Sequence, residues 1–154
     1  MIYRQSGYWS WDEFCKLPSR HFTADILCVT KCSKLYTEWG GVLLDNLLDL
    51  VEMDLNAHFV MAFCDGGYTN NMPLKDIADG KSFVGYRYND APMGPEYNGT
   101  EHLVVPELKF WKTPKWMRGI SRFEINRPGF LGSLGYSTHG EPWKEERYYG
   151  DRTD

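Results

Sequence analysis

The apolar residues of this sequence fall in short runs, and this pattern limits the possible folds more than any other feature. Phe22, Ala24 and Ile26 alternate with polar residues and predict a strand that leads into Cys28. Leucines recur at helical spacing in Leu43 to Glu52, which predicts an amphipathic helix. Short strands mixed with short helices are typical of an α+β fold rather than a regular βαβ series. Further strands are expected at 36–42, 59–63, 82–88, 102–105 and 116–125, helices at 11–17 and 73–78, and loops at 89–99 and from 127 onward.

The length of the chain indicates how many domains it forms, and its charge indicates which kind of ligand it binds. A chain of 154 residues has the usual size of one domain with its own core, and we expect a single domain over residues 1–154. Its formal net charge of −4 argues against general nucleic-acid binding. The charge is uneven, because residues 109–127 hold six basic side chains and one acid, giving +5 there and −9 elsewhere. A basic patch on an acidic protein favours a small anionic ligand.

The sequence also bears on the cellular compartment. No apolar run is long enough to span a bilayer, and residues 1–6 lack the apolar core of a signal peptide. We therefore expect a soluble, cytoplasmic protein with no membrane partner. In that compartment the four cysteines are expected to be reduced thiols rather than a disulfide framework.

The first segment that carries chemistry surrounds Cys28, which ends the predicted strand and is followed by Lys31 and Lys34. Nearby cations lower the pKa of a thiol, and a thiolate binds soft metals. The alternative is that Cys28 is a small buried hydrophobic residue, because free cysteines are among the most buried residue types.

Two further segments are typical of ligand binding. The glycine pair in Asp65-Gly66-Gly67-Tyr68 allows close approach of a ligand and exposes amides to an anion, although a plain turn has the same composition. In residues 109–118 cations are interleaved with aromatic rings. Such a segment can hold a phosphate and stack a flat heterocycle, or it can form a solvated face.

Short motifs from about Trp9 to the end of the chain share their order with a known family. They include Asp25-Ile26-Leu27-Cys28-Val29-Thr30-Lys31, Asp65-Gly66-Gly67-Tyr68-Thr69, Val104-Val105-Pro106, Trp111-Lys112, Lys115-Trp116, Pro128-Gly129-Phe130, Gly135-Tyr136 and Glu146-Arg147-Tyr148. In this order they resemble the molybdopterin-binding domain of bacterial sulfite-oxidase-like oxidoreductases. No single motif is decisive, and the collinearity makes the resemblance specific.

The resemblance implies a mixed, β-rich α+β fold with short helices that holds a molybdenum–molybdopterin cofactor. By this analogy Cys28 supplies the one protein thiolate on molybdenum, and the pterin dithiolene and oxo groups complete the site. Tyr136 aligns with a tyrosine near the oxo groups, where it can donate a hydrogen bond. The residues expected to bind the cofactor are Asp65, Gly66, Tyr68, Tyr97, His102, Lys112, Lys115 and Trp116.

The sequence departs from the family pattern at three positions. Cys32 stands where the family usually has Trp, and Tyr97 and His102 stand where it has a His and an Arg five residues apart. Replacing a permanently charged Arg with His weakens anion binding and makes it depend on pH.

The activity implied by the resemblance is a two-electron oxygen-atom transfer on a small substrate such as sulfite or a sulfoxide, with electrons exchanged with an unidentified partner. Two other hypotheses stay open. The departures favour a cofactor-poor relative that binds a small ligand or a partner without redox turnover. A zinc site formed by Cys28, Cys32 and Cys64 is the third hypothesis, although the spacing is unlike that of a zinc knuckle.

Overall fold

Two antiparallel β-sheets and several short helices make up the protein. The computed structural model describes residues 7–27, 33–50, 56–97, 99–106, 108, 112–136 and 148. The strands are β1 (Arg20–Leu27), β2 (Ser33–Leu43), β3 (Phe59–Cys64), β4 (Thr69–Pro73), β5 (Phe83–Tyr88), β6 (Ala91–Pro92), β7 (His102–Val104) and β8 (Met117–Phe123). The helices are α1 (Trp11–Cys15), α2 (Leu44–Asp49), α3 (Leu74–Ile77) and α4 (Phe130–Ser133), with 3₁₀ turns at Asp65–Gly67 and Pro95–Tyr97.

The strands form one sheet of five and one of three. The larger sheet has the order β1-β2-β5-β6, and β7 pairs with β5 beside β6. The smaller sheet has the order β4-β3-β8. All these pairings are antiparallel, as expected for a fold without βαβ units. Among the described residues, no helix has the length and apolar character needed to cross a membrane.

Helix α1 begins where the sequence predicts. The Ser10 hydroxyl accepts a hydrogen bond from the Glu13 amide at 3.4 Å, and the Glu13 carboxylate accepts one from the Ser10 amide at 2.7 Å. This reciprocal capping box satisfies amides that would otherwise lack a partner at the helix start. The Phe14 ring lies 5.8 Å from that of Tyr86, so the helix packs against the larger sheet.

The β1–β2 hairpin confirms the strand predicted from alternation. Ala24 is buried, and the Phe22 ring stacks on Phe83 of β5 at 4.0 Å. Leu27 pairs with Ser33, so the hairpin brings these two positions opposite each other. Cys28 and Cys32 lie between them, in a segment outside the described residues.

A core of aliphatic side chains joins the two sheets. The predicted leucine helix is confirmed as α2, whose Leu44, Leu47 and Leu48 are buried. Residues 51–55, the end of the predicted helix, lie outside the described residues. The core residues are Val42, Leu44, Leu47, Leu48, Val60, Ala62, Met72, Ile77, Val84, Leu103, Val105 and Leu108. Because these residues come from both sheets and from α2 and α3, one core holds the sheets and the helices together.

The two loop predictions are wrong in part. Residues 89–99 include β6, because Asn89 and Asp90 adopt left-handed conformations that close a tight hairpin with β5. The segment from residue 127 onward, predicted to be a loop, includes the short helix α4. Strand β4 was also missed, since its two asparagines have low strand propensity and pairing with β3 overrides it.

Candidate cofactor-binding site

Residues 113–118 connect the edges of the two sheets and bring distant predicted residues together. On one side, His102 of β7 forms an isolated antiparallel bridge with Lys115. On the other side, the Asp65 amide donates a hydrogen bond to the Trp116 carbonyl at 3.0 Å. Gly99 lies close to the same segment, because a Cβ added to it would stand 2.9 Å from the Trp116 nitrogen. Four residues predicted to bind the cofactor therefore meet at this place.

The loop after β3 leaves open space beside its backbone. Gly66 and Gly67 have φ values of 74° and 79°, in the left-handed region that favours glycine. A Cβ added to either would meet no atom within 4 Å. The Cys64 amide donates to the Tyr68 carbonyl at 2.9 Å and closes the loop. This geometry leaves space next to the glycines; that a ligand occupies it stays a prediction.

Three charged side chains form what we call the Arg118 cluster: Asp65, Glu101 and Arg118. The Arg118 guanidinium donates two hydrogen bonds to the Asp65 carboxylate, from Nε to Oδ1 at 2.8 Å and from Nη2 to Oδ2 at 2.5 Å. Its Nη1 lies 3.2 Å from Oε1 of Glu101. Asp65 and Arg118 are half exposed, whereas the Glu101 side chain is 6% exposed.

The pKa values of the two carboxyl groups move in opposite directions. The hydrogen bond from Arg118 lowers the pKa of Asp65, which is consistent with a charged pair at the surface. Burial raises the pKa of Glu101, and the Thr100 hydroxyl and Arg118 only partly oppose this effect. The nearby Asp65 carboxylate also raises the pKa of Glu101, so the surroundings of this side chain disfavour its charged form more than Arg118 favours it.

His102 contacts strand β2 through Trp39. His102 is buried, with 2% of its surface exposed, and the centroid of its ring lies 5.9 Å from that of Trp39 in β2. The centroids of the Trp39 and Tyr88 rings are 5.0 Å apart. The Lys34 ammonium lies 5.0 Å from the centre of the Tyr88 ring. The expected pH dependence of anion binding at His102 stays a prediction.

Lys112 lies inside the protein and links three segments. It is 1% exposed, and its ammonium donates to the Asn71 carbonyl of β4 at 2.8 Å. The Asn71 side chain donates to Asn126 at 2.8 Å and accepts from the Gly129 amide at 3.2 Å. Burial lowers the pKa of Lys112 to about 7, although Asp76 opposes the shift. Its predicted role as a cofactor contact stays a prediction.

This buried amine leads to an expected pH dependence of stability. The folded-state pKa of Lys112 is about 7, below its ordinary value of 10.5, so the unfolded chain binds the proton more tightly. The free energy of unfolding should therefore rise between pH 7 and 9, by at most about 1.4 kcal/mol per pH unit from this group. Urea unfolding of the parent and of Lys112→Met measures the contribution. The variant should show a shallower slope, whereas exposed Lys75→Met should match the parent. Equal slopes for the parent and Lys112→Met would contradict this interpretation.

The two predicted tyrosines lie near α4. The Tyr68 ring is 5.6 Å from Phe130 of α4, and burial raises the pKa of Tyr68. The Tyr136 amide donates to the Leu131 carbonyl at 3.1 Å, and its ring is 5.2 Å from Tyr148. Both tyrosines therefore belong to the region that packs against α4.

Two predicted residues lie partly or wholly outside the described part of the chain. Tyr97 ends the 3₁₀ turn Pro95–Tyr97, but its side chain is outside that part, as is the whole of Cys28. In the zinc hypothesis Cys28 and Cys32 would be joined by Cys64. Burial, with smaller contributions from Asp65 and Glu101, raises the pKa of the Cys64 thiol to about 11. The zinc hypothesis stays a prediction, because Cys28 and Cys32 lie outside the described residues.

Sequence reasoning missed two members of the Arg118 cluster. Arg118 was noted as part of the basic segment but received no role, and Glu101 was not singled out. Arg118 and Asp65 are 53 residues apart, so no local spacing signals their pairing. The only available signal for Glu101 was a carboxylate directly before a predicted strand.

Comparison with known proteins identifies the family to which this chain belongs. The chain belongs to the oxidoreductase molybdopterin-binding domain family, whose model matches residues 2–131. It is 34% identical over 142 residues to the uncharacterized oxidoreductase YuiH of Bacillus subtilis strain 168, covering 92% of this chain and 72% of that protein. It is 24% identical over 132 residues to the putative protein-methionine-sulfoxide reductase subunit YedZ1 of Azospira oryzae, covering 86% of this chain and 50% of that protein.

A solved structure shows the same fold. The crystal structure of the sulfane dehydrogenase SoxCD from Paracoccus pantotrophus matches with a TM-score of 0.68 at 15% identity. The match covers 82% of this chain and 36% of the SoxCD chain. The predicted sulfite-oxidase-type α+β fold and the family resemblance are thus confirmed.

Proposed function

We propose that this domain binds a molybdenum–molybdopterin cofactor and catalyses two-electron oxygen-atom transfer on a small sulfur oxyanion or sulfoxide. The observation that carries the proposal is the meeting of His102, Lys115, Trp116 and Asp65 around residues 113–118 in a chain of this family. The Azospira relative is a putative protein-methionine-sulfoxide reductase subunit, which supports a sulfoxide among the substrates.

The residues at this place fit an anionic, flat heterocyclic group. Open space beside Gly66 and Gly67 lets a ligand approach the backbone. Lys115 and Trp116 are both partly exposed, so one offers charge to a phosphate and the other offers a ring face to a heterocycle. Cys28 offers the soft sulfur that suits a redox-active metal. These residues would hold the cofactor, together with Tyr68, Tyr97, His102 and Lys112.

The protein's own contribution is to bind and orient. The bound cofactor would supply a metal centre able to exchange an oxygen atom and two electrons with the substrate. Lys115 would attract the anionic end, and Trp116 would limit the orientation of the ring system. The Tyr136 hydroxyl would donate a hydrogen bond to the oxygen being transferred. Sulfoxide reduction consumes two electrons and two protons and yields a thioether and water, so an external electron donor is part of the proposal.

Turnover by loaded protein tests this function. Protein made in a host that synthesises the cofactor is assayed for reduction of methionine sulfoxide with a reduced viologen dye and for oxidation of sulfite with ferricyanide. We expect turnover in at least one assay and none in protein from a host unable to make the cofactor. Absence of both activities in protein that carries molybdenum would contradict the proposal.

One observation favours a domain that binds a ligand without turnover. His102 replaces an Arg of the family pattern and is 2% exposed, so it presents little charge to an anion. In this second hypothesis a ligand binds beside Gly66 and Gly67, and no redox step follows. The same assays, with metal and pterin analysis, separate the two hypotheses, since the cofactor-poor alternative predicts no substrate conversion and little molybdenum or pterin in the purified protein.

A further inference from the structure

We propose that the Arg118 cluster is a positioning device that holds the loop after β3, the start of β8 and the segment before β7 in the arrangement that retains the cofactor. The inference rests on the proposed function and assigns to it residues that contact one another rather than the cofactor. Arg118 is the central member, and Asp65 and Glu101 are its two partners.

Each member of the cluster stands next to predicted cofactor residues. Asp65 directly precedes Gly66, Arg118 follows Trp116 by two positions, and Glu101 directly precedes His102. A single guanidinium therefore contacts the three segments to which these predicted cofactor residues belong. Its two hydrogen bonds of 2.5 and 2.8 Å fix its position relative to Asp65, and it forms an ion pair at 3.2 Å with Glu101 Oε1, without a hydrogen bond.

The regular pairing of β3 with β8 is interrupted in this region, although the Asp65 amide still donates to the Trp116 carbonyl. The register of β3 and β8 shifts between Phe63 and Cys64, just before the loop that contains Asp65. Such a shift interrupts the regular ladder of hydrogen bonds. Trp116 also has a φ of 53°, a conformation that a non-glycine residue keeps only when its surroundings hold it. The Arg118 ion pairs therefore add side-chain contacts at the point where the regular ladder is interrupted.

The contacts of Arg118 favour positioning over direct binding. Its Nε and Nη2 face Asp65, and its Nη1 faces Glu101. A guanidinium engaged by two carboxylates offers little net positive charge to an anion. Removing it would leave Glu101 as an uncompensated buried carboxylate, so the neighbouring His102 segment would shift or Glu101 would take up a proton.

The test measures cofactor release from the full chain. Arg118→Gln is expected to release pterin at least about tenfold faster than the parent during dialysis, by analogy with outer residues that orient a metal site. Pterin fluorescence and molybdenum content provide the readout. Arg122→Gln is the matched control, because it removes the same charge from β8 four positions away, and its release should match the parent.

Glu101→Gln separates positioning from direct binding. If the cluster positions the segments, loss of the buried charge pair speeds release. If Arg118 binds the anion directly, removing a competing carboxylate slows release, and that result would overturn the inference. Arg118→Lys keeps the positive charge without the forked donors of the guanidinium, so its rate of pterin release should lie between those of the parent and Arg118→Gln. This variant tests the positioning role if Arg118→Gln does not fold.

The remaining outcomes are also decisive. Release from Arg118→Gln at the parent rate would overturn the positioning role while leaving the proposed function in place. If Arg118→Gln does not fold, parent-like release from Arg118→Lys would do the same. A parent protein that carries neither molybdenum nor pterin, when made in a competent host, would overturn both proposals.

Discussion

Cys28→Ser is expected to abolish turnover while leaving the fold nearly unchanged. A serine oxygen is a hard ligand, whereas the proposed role requires a soft thiolate on a redox-active metal. Because the two side chains have similar volume, the free energy of unfolding should change by less than about 1.5 kcal/mol. Turnover in the sulfoxide and sulfite assays and urea unfolding of the same samples measure the two effects.

Cys15→Ser provides the matched control for this substitution. Cys15 is exposed at the end of α1, and the same chemical change there should leave turnover at the parent level. Loss of turnover in Cys28→Ser but not in Cys15→Ser would support the metal-ligand role. Equal turnover in Cys28→Ser and the parent would show that Cys28 does not bind the metal.

Gly41→Ala is expected to destabilise the fold strongly, although it adds only one methyl group. The added Cβ would stand 2.2 Å from the Val84 carbonyl oxygen and 2.8 Å from the Gly85 Cα. Both are backbone atoms of β5, at a point where the β2–β5 register shifts beside Gly40. Since neither strand can move away without breaking the larger sheet, the cost should be on the order of 3 kcal/mol.

Urea unfolding of Gly41→Ala and Gly119→Ala measures this cost against a matched control. Gly119 lies in β8, and a Cβ added there meets nothing within 4 Å. Its replacement should change the free energy of unfolding by less than about 1 kcal/mol, in the stabilising direction, because alanine restricts the unfolded chain. Equal stabilities of the two variants would mean that the close approach of β2 and β5 does not constrain the fold.

Elements with local signals were predictable from the sequence. The Ser10 capping box, the alternation in Phe22 to Ile26 and the leucines of α2 each depend on residues a few positions apart. Strand β4 depends instead on pairing with β3, because Asn70 and Asn71 do not favour a strand by themselves. Its pairing partners, and not its own composition, determine its conformation.

Some residues of the candidate site were predictable from the sequence, and others were not. The family resemblance directed attention to His102, Lys115 and Trp116, which the structure brings to the edges of the two sheets. The Arg118 cluster was not predictable, since its pairs form only after both sheets are assembled. The burial of Lys112 was equally hidden, because a lysine among aromatic residues has the same pattern whether it faces solvent or the core.

Elemental and pterin analysis of protein purified from a host competent for molybdenum-cofactor synthesis tests the central claim most directly. The account predicts molybdenum and pterin in equal amounts, each stoichiometric with the chain, and the loss of both in Cys28→Ser. Protein that contains no molybdenum and no pterin, or that contains stoichiometric zinc instead, would contradict it.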